Sequence, residues 1–137
     1  MSAEDTIQQL AQAQMRNALL EGAELATAAA TTADVASRQH ATLIAGDGAG
    51  ERIIGAAIAL NPNECKPADL TRRFDGQALL LISGAIVGAI GLAQTAARLR
   101  SLGAQAVHVG VLGGWSEPIP GVETITTLGV ARGRAVF

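Results

Sequence analysis

The sequence predicts an α/β domain: three layers, a mainly parallel sheet with helices on both faces, preceded by an N-terminal helix or helical hairpin. Three observations carry this. Short apolar runs of strand length, in "HATLIAGDGAG", "ALLLISG" and "AVHVGVLGG", each end in glycine. A helical stretch from Gly88 to Leu102 lies between the second run and the third, which makes a βαβ unit. The second run is apolar throughout, as a parallel strand covered on both faces should be.

The elements follow in order. Ala3 to about Ala30 reads as helix, with Ser2 three residues before Asp5 as an acidic capping box. Ile7, Leu10, Gln14 or Met15, Ala18, Leu19 and Leu25 give it one apolar stripe, and Gly22 is a point where it can divide in two. "TAAATTADVASRQ" fits either a helix or a connector. From His40 the chain runs through a strand into a glycine turn, then into the helical "ERIIGAAIAL", which Asn61, Pro62 and Asn63 stop. A polar stretch to Gln77 contains the turn signal Asp75-Gly76. After the second strand, Arg98, Arg100 and Gly103 mark the end of the next helix. "VETITT", beyond Pro118, Pro120 and Gly121, is a further strand. The 137 residues are read as one domain: a helical region 1–38, a βαβαβ core 39–112, and a C-terminal strand and tail 113–137.

Composition narrows the function. Hydrophobic residues make up 49% of the chain but aromatics only 2%, so Ala, Leu, Ile and Val must fill the core. A net charge of -2 leaves no basic footprint for nucleic acid. Cys65 is alone, which excludes an intrachain disulfide and a cysteine zinc cluster. The acidic, polar start "MSAEDTIQQLAQAQ" is unlike a signal peptide, and the expectation is a cytoplasmic protein. From Gly76 to Ala97 there is no charge, and Gly84, Gly88 and Gly91 have the spacing of packed membrane helices. A span would have to contain a strand-to-helix turn, so the soluble βαβ reading is preferred.

Two turns, "LIAGDGAGER" and "LLLISGAIVGAIG", join a strand to a helix through glycines. Such turns direct backbone N–H groups at an anion, at the carboxyl ends of parallel strands where open α/β sheets bind ligands. Neither fits the dinucleotide fingerprint, and neither has the lysine of a P-loop. Candidate ligand-binding residues are Asp47, Gly48, Gly50, Glu51 and Arg52 in the first turn. In the second they are Ser83, Gly84, Val87, Gly88 and Ala89. Trp115, after the next strand, is placed to stack a flat ligand, anchor a partner or cap the core.

"LLLISGAIVGAIGLAQTAARLRSLGAQAVHVGVL" resembles the signature region of type I phosphoribosyltransferases. In that family an apolar strand leads to two acids, two small apolar residues, a Thr-Thr-Gly phosphate loop and a helix ending in Gly-Ala. Laid without gaps, Ser83 and Gly84 fall on the acids, Val87-Gly88-Ala89 on the phosphate loop and Gly103-Ala104 on the helix end. Upstream, "HATLIAGDGAGERIIGAAIAL" is similar to the family's first strand, pyrophosphate loop and following helix. The resemblance implies a phosphate-binding fold without the acids that hold the ribose hydroxyls. It also implies no closing loop, since Asn61 to Gln77 leaves room for one short strand at best. Sugar isomerase domains are a second, weaker resemblance, through "GDGAG" and the Ser-Gly of "LLLISG"; they bind phosphosugars through hydroxyls at those turns.

The remaining reactive side chains carry less. His108 sits mid-strand and is expected to face a helix or solvent, and His40 to lie at the surface. Cys65, between Glu64 and Lys66, has a polar setting that would lower its pKa, but no paired base. Arg132, Arg134 and Phe137 form a tail. The expectation is a catalytically degenerate phosphoribosyltransferase-like domain that binds a phosphorylated small molecule or a partner subunit. The alternatives are an active phosphosugar enzyme and a structural assembly domain. No cofactor, metal, nucleic acid or membrane is expected, and the apolar N-terminal helix points to a homo-oligomer.

Overall fold

The computed structural model describes residues 23–83, 89–112 and 118–129. Helix α1 (Ala23–Gln39) is built on the Ala/Thr-rich stretch whose conformation the sequence left open. Its buried face is Ala28, Ala29, Thr32, Ala33, Val35 and Ala36, small side chains that let it lie close to its neighbours. Glu24 and Arg38 sit at the ends where the helix dipole favours each charge. His40 ends the helix in the left-handed region at φ 50° and is exposed, as expected.

Strand β1 (Ala41–Ala45) leads through Gly46 and Asp47 into α2 (Gly48–Leu60). Asn61 caps α2, its N–H donating to the Ala57 carbonyl. Then come β2 (Ala78–Ser83), α3 (Ala89–Ser101), β3 (Ala106–Leu112) and β4 (Thr124–Gly129). The four strands are all parallel, in the order β1-β2-β3-β4, with Leu43 beside Leu80, Leu80 beside His108 and His108 beside Thr124. The uncharged stretch is thus divided between β2 and α3, and no helix among the described residues is long and apolar enough to cross a membrane.

Alternation along the strands sorts the core into two layers. Leu43, Leu80, Ile82 and Leu128 pack under α1 and α2, against Ala28, Ala29, Ile53, Ile54 and Ala57. Leu79, Leu81, Val107, Val109 and Val111 face the other way, under Leu92, Ala96 and Leu99 of α3. This is the expected three-layer sandwich with helices on both faces. Gly110 stands on the α1/α2 side, where a Cβ would come within 2.9 Å of Leu128 Cδ2 and 3.0 Å of Ile82 Cδ1. The two large side chains close over the space a larger residue would need.

The segment between α2 and β2 reveals the winding. Lys66 to Ala68 pairs with β1 through a single bridge, Pro67 to Leu43, with the Leu43 N–H donating to Lys66 O at 2.8 Å and the Ala68 N–H to Leu43 O at 2.7 Å. Since β2 occupies the other side of β1, this one short strand lies on the outer edge. From β1 the chain therefore goes outward over the α1/α2 face. It returns to β2 with Ala68 and Phe74 on the α3 face, and goes on to β3 and β4 over that same face, with Ile119 and Val122 beneath the last connection. Opposite directions over opposite faces have the same hand, so the crossovers share one hand, as the rule for parallel sheets requires. The winding reverses between β1 and β2.

Two sequence readings need correction. The stretch from Asn61 to Gln77 is polar, yet Cys65 and Phe74 within it are buried in the core. Burial, together with the neighbouring Glu64 charge, pushes the Cys65 thiol pKa up rather than down. Cys65 is a packed apolar side chain. The strand expected at "VETITT" begins two residues later, at Thr124, because Val122 and Glu123 serve the preceding turn: the Glu123 N–H donates to Val107 O at 2.8 Å.

Candidate functional site

The carboxyl ends of β1 and β2 lie side by side, Ala45 opposite Ile82, and the helices that follow leave toward opposite faces. In doubly wound sheets such divergence, at the reversal of winding, forms the ligand-binding crevice.

The β1 side is built tightly. Asp47 has extended backbone and is the N-cap of α2; its Oδ1 accepts from the Gly50 N–H at 2.7 Å. Its Oδ2 accepts from the Ser83 hydroxyl at 3.0 Å, a link between residues 36 apart in sequence. The Gly46 N–H donates to Ile82 O at 2.8 Å, holding the start of the turn against β2. Gly50 is buried, and a Cβ there would stand 2.1 Å from the Ile82 carbonyl oxygen. Glycine is therefore required by the approach of α2 to the β2 backbone. Ser83 is 1% exposed while Asp47 is half-buried, so the hydroxyl is covered and the carboxylate is the more open of the two.

The other candidates separate. Gly48 and Glu51 are exposed and Arg52 half-buried, all within the first turns of α2 rather than in the turn itself. The Glu51 N–H donates to Asp47 O at 3.0 Å. Ala89 opens α3. Gly84, Val87, Gly88 and Trp115 lie outside the described residues.

His108 stands apart from this crevice. It is 6% exposed, on the α1/α2 side of β3, with Nδ1 2.7 Å from the Thr124 hydroxyl. Burial lowers its pKa, against the weaker pull of the Glu123 carboxylate. It is a core histidine. Glu123 in turn fastens the turn before β4: it accepts from the Val107 N–H at 2.7 Å and pairs with Arg100, whose Nε donates to Gly121 O at 2.9 Å. Burial would raise the Glu123 pKa, but the Val107 N–H and Arg100 together hold it below the usual value.

Sequence reading found Asp47 and Ser83 separately and missed that they touch. The signal available was the pairing of two glycine-ended parallel strands, which predicts that the residues just past their ends converge. No group of three or more metal-ligating side chains occurs among the described residues. No family model, curated protein or solved structure matches the chain, so a functional reading starts from the crevice at the winding reversal.

Proposed function

We propose that the chain is a catalytically degenerate, ligand-binding α/β domain that takes a phosphorylated small molecule in the crevice between the carboxyl ends of β1 and β2. The observation that carries this reading is the reversal of winding directly above the Asp47–Ser83 pair. Backbone N–H groups of strand-to-helix turns bind anions without needing particular side chains, so the capacity survives the loss of catalytic residues. The site's side chains suit binding better than transfer chemistry. Ser83 stands where the resemblance to phosphoribosyltransferases would place an acid, and it is buried with its proton directed at Asp47. Only one bridged residue, Pro67, occupies the stretch where that family carries a hairpin and a closing loop. Among the described residues no closing loop stands in that stretch to exclude water or to organise charge stabilisation.

The test is a titration of the full chain with phosphoribosyl pyrophosphate, followed by calorimetry and by melting temperature. Saturable binding with no release of pyrophosphate is expected, and a hundredfold excess over Kd should add about 2.7 kcal/mol of stability. No heat and no shift at millimolar ligand would remove the phosphate reading and leave assembly into a homo-oligomer as the better account.

A further inference from the structure

We infer that the cavity at the amino end of β1 is a further binding site, for the zwitterionic head of a free α-amino acid. The carboxylate lies against Lys66 and His40, and the ammonium against Glu64 and the carboxyl end of α1. This end of β1 is the one away from the crevice, and the inference does not depend on the function proposed there.

The cavity measures about 360 Å³, within the size range of small-molecule sites, and every residue lining it belongs to the described part of the chain. Ala36 and Ala41, buried and small, line it where the last turn of α1 passes into β1. Another side is the segment after α2, whose backbone is fixed. Cys65 is packed in the α1/α2 core, its N–H donates to Asn61 O at 3.0 Å, and Lys66 O accepts from the Leu43 N–H at 2.8 Å. Glu64 and Lys66, on either side of this buried cysteine, are exposed and both line the cavity.

Charge selects the ligand. The side chains of Lys66 and His40 have no hydrogen bond or ion pair among the described residues. Glu64 Oε2 accepts from Asn61 Nδ2 at 3.2 Å, a neutral partner that leaves the carboxylate charge unbalanced. Opposite charges two residues apart thus line one cavity without pairing with each other. A simple anion there would meet Glu64 and the negative end of the α1 dipole, and a simple cation would meet Lys66. A molecule carrying both charges finds a partner for each.

His40 adds a second, independent sign. It follows α1 at φ 50°, the one non-glycine residue at positive φ among the described residues. Glycine is the usual choice after a helix, because a Cβ is strained in that region. Histidine gives up stability there, and places a ring N–H donor on the cavity that glycine would lack.

The full chain is titrated with L-alanine and with L-glutamine, which share the head group and differ in side-chain volume, and followed by calorimetry and amide chemical shifts. At least one should bind saturably and move the amides of His40 to Thr42 and Asn63 to Lys66. N-acetylalanine lacks the ammonium and alaninamide the carboxylate, and each should bind about tenfold more weakly, the scale of one unit charge near a surface. Lys66→Met should weaken alanine or glutamine binding by a similar factor and Glu64→Gln several-fold. Both side chains are exposed, so neither variant should change the melting temperature. His40→Gly separates site from fold: the melting temperature should rise by a few degrees while affinity falls several-fold. No saturable binding of either amino acid at millimolar concentration, equal affinity for the blocked derivatives, or undiminished affinity in both Lys66→Met and His40→Gly overturns the inference.

Discussion

The two ends of the sheet are closed by different chemistry. At the amino ends of β2 and β3 the contacts between the segment leading into β2 and the turn leading into β3 are backbone to backbone. The Phe74 N–H donates to Leu102 O at 2.8 Å, Gly76 N–H to Gly103 O at 3.1 Å and Gln105 N–H to Gln77 O at 2.8 Å. Arg73 and Asp75 pair outside them, largely in solvent. At the carboxyl ends of β1 and β2, the closing contacts include side chains. A half-buried carboxylate caps a helix and accepts a hydrogen bond from a buried hydroxyl on the neighbouring strand. Backbone closure satisfies polar groups and leaves little chemistry facing solvent. Side-chain closure holds a charge in place where the winding opens the sheet. On the proposed function, stability and ligand binding should thus be separable by substitution.

The largest effect should come from Gly50→Ala. The Cβ meets a main-chain carbonyl, which cannot rotate away, so α2 must lift off β2 at a cost of about 3 kcal/mol. The denaturant midpoint should fall and the crevice should lose its shape. Gly103→Ala is the matching lesion at the amino end. Here φ is +103° and the Cβ would lie 2.9 Å from Asp75 Cα, so about 2 kcal/mol should be lost. Ligand affinity, measured where the variant is still folded, should be unchanged. Loss of affinity in both variants would dissolve the distinction between the ends.

A pH series examines β3, between the two ends. Burial depresses the His108 pKa, so the unfolded chain takes a proton first as the pH falls through 6.5. Stability should be complete above that value and decline below it, and His108→Gln should flatten this part of the urea-midpoint profile. Glu123 has the opposite role. Its lowered pKa contributes stability above 4.5 that disappears as pH falls through the folded value, and Glu123→Gln should lose that part at neutral pH. The smallest effect should be a gain: a Cβ at Gly55, in the exposed interior of α2, meets nothing within 4 Å, so Gly55→Ala should stabilise by up to about 1 kcal/mol.

Local signals made much of the fold legible. The glycine after "LLLIS", the Asn61-Pro62 stop and Gly103 with its positive φ each act within a few residues, and each marks a real boundary. Helix α1 was ambiguous because Ala, Thr and Val support several conformations in isolation. Its packing against α2 and the sheet decides the matter, and that information is tertiary. Cys65 was misread for the same reason: its sequence neighbours are charged, while its spatial neighbours belong to the α1/α2 core. At the site, each turn was visible but their meeting was not. The Asp47–Ser83 contact exists because a parallel register puts Ala45 opposite Ile82, and register is fixed by the whole sheet.

The most direct test of the crevice is amide chemical-shift mapping by NMR during titration of the full chain with ribose 5-phosphate. The account predicts shifts concentrated at Gly46 to Arg52 and at Ser83, with Asp75 to Gln77 and Gly103 to Gln105 unmoved. Shifts confined to that amino end, or saturating ligand with no change around Asp47, would contradict it.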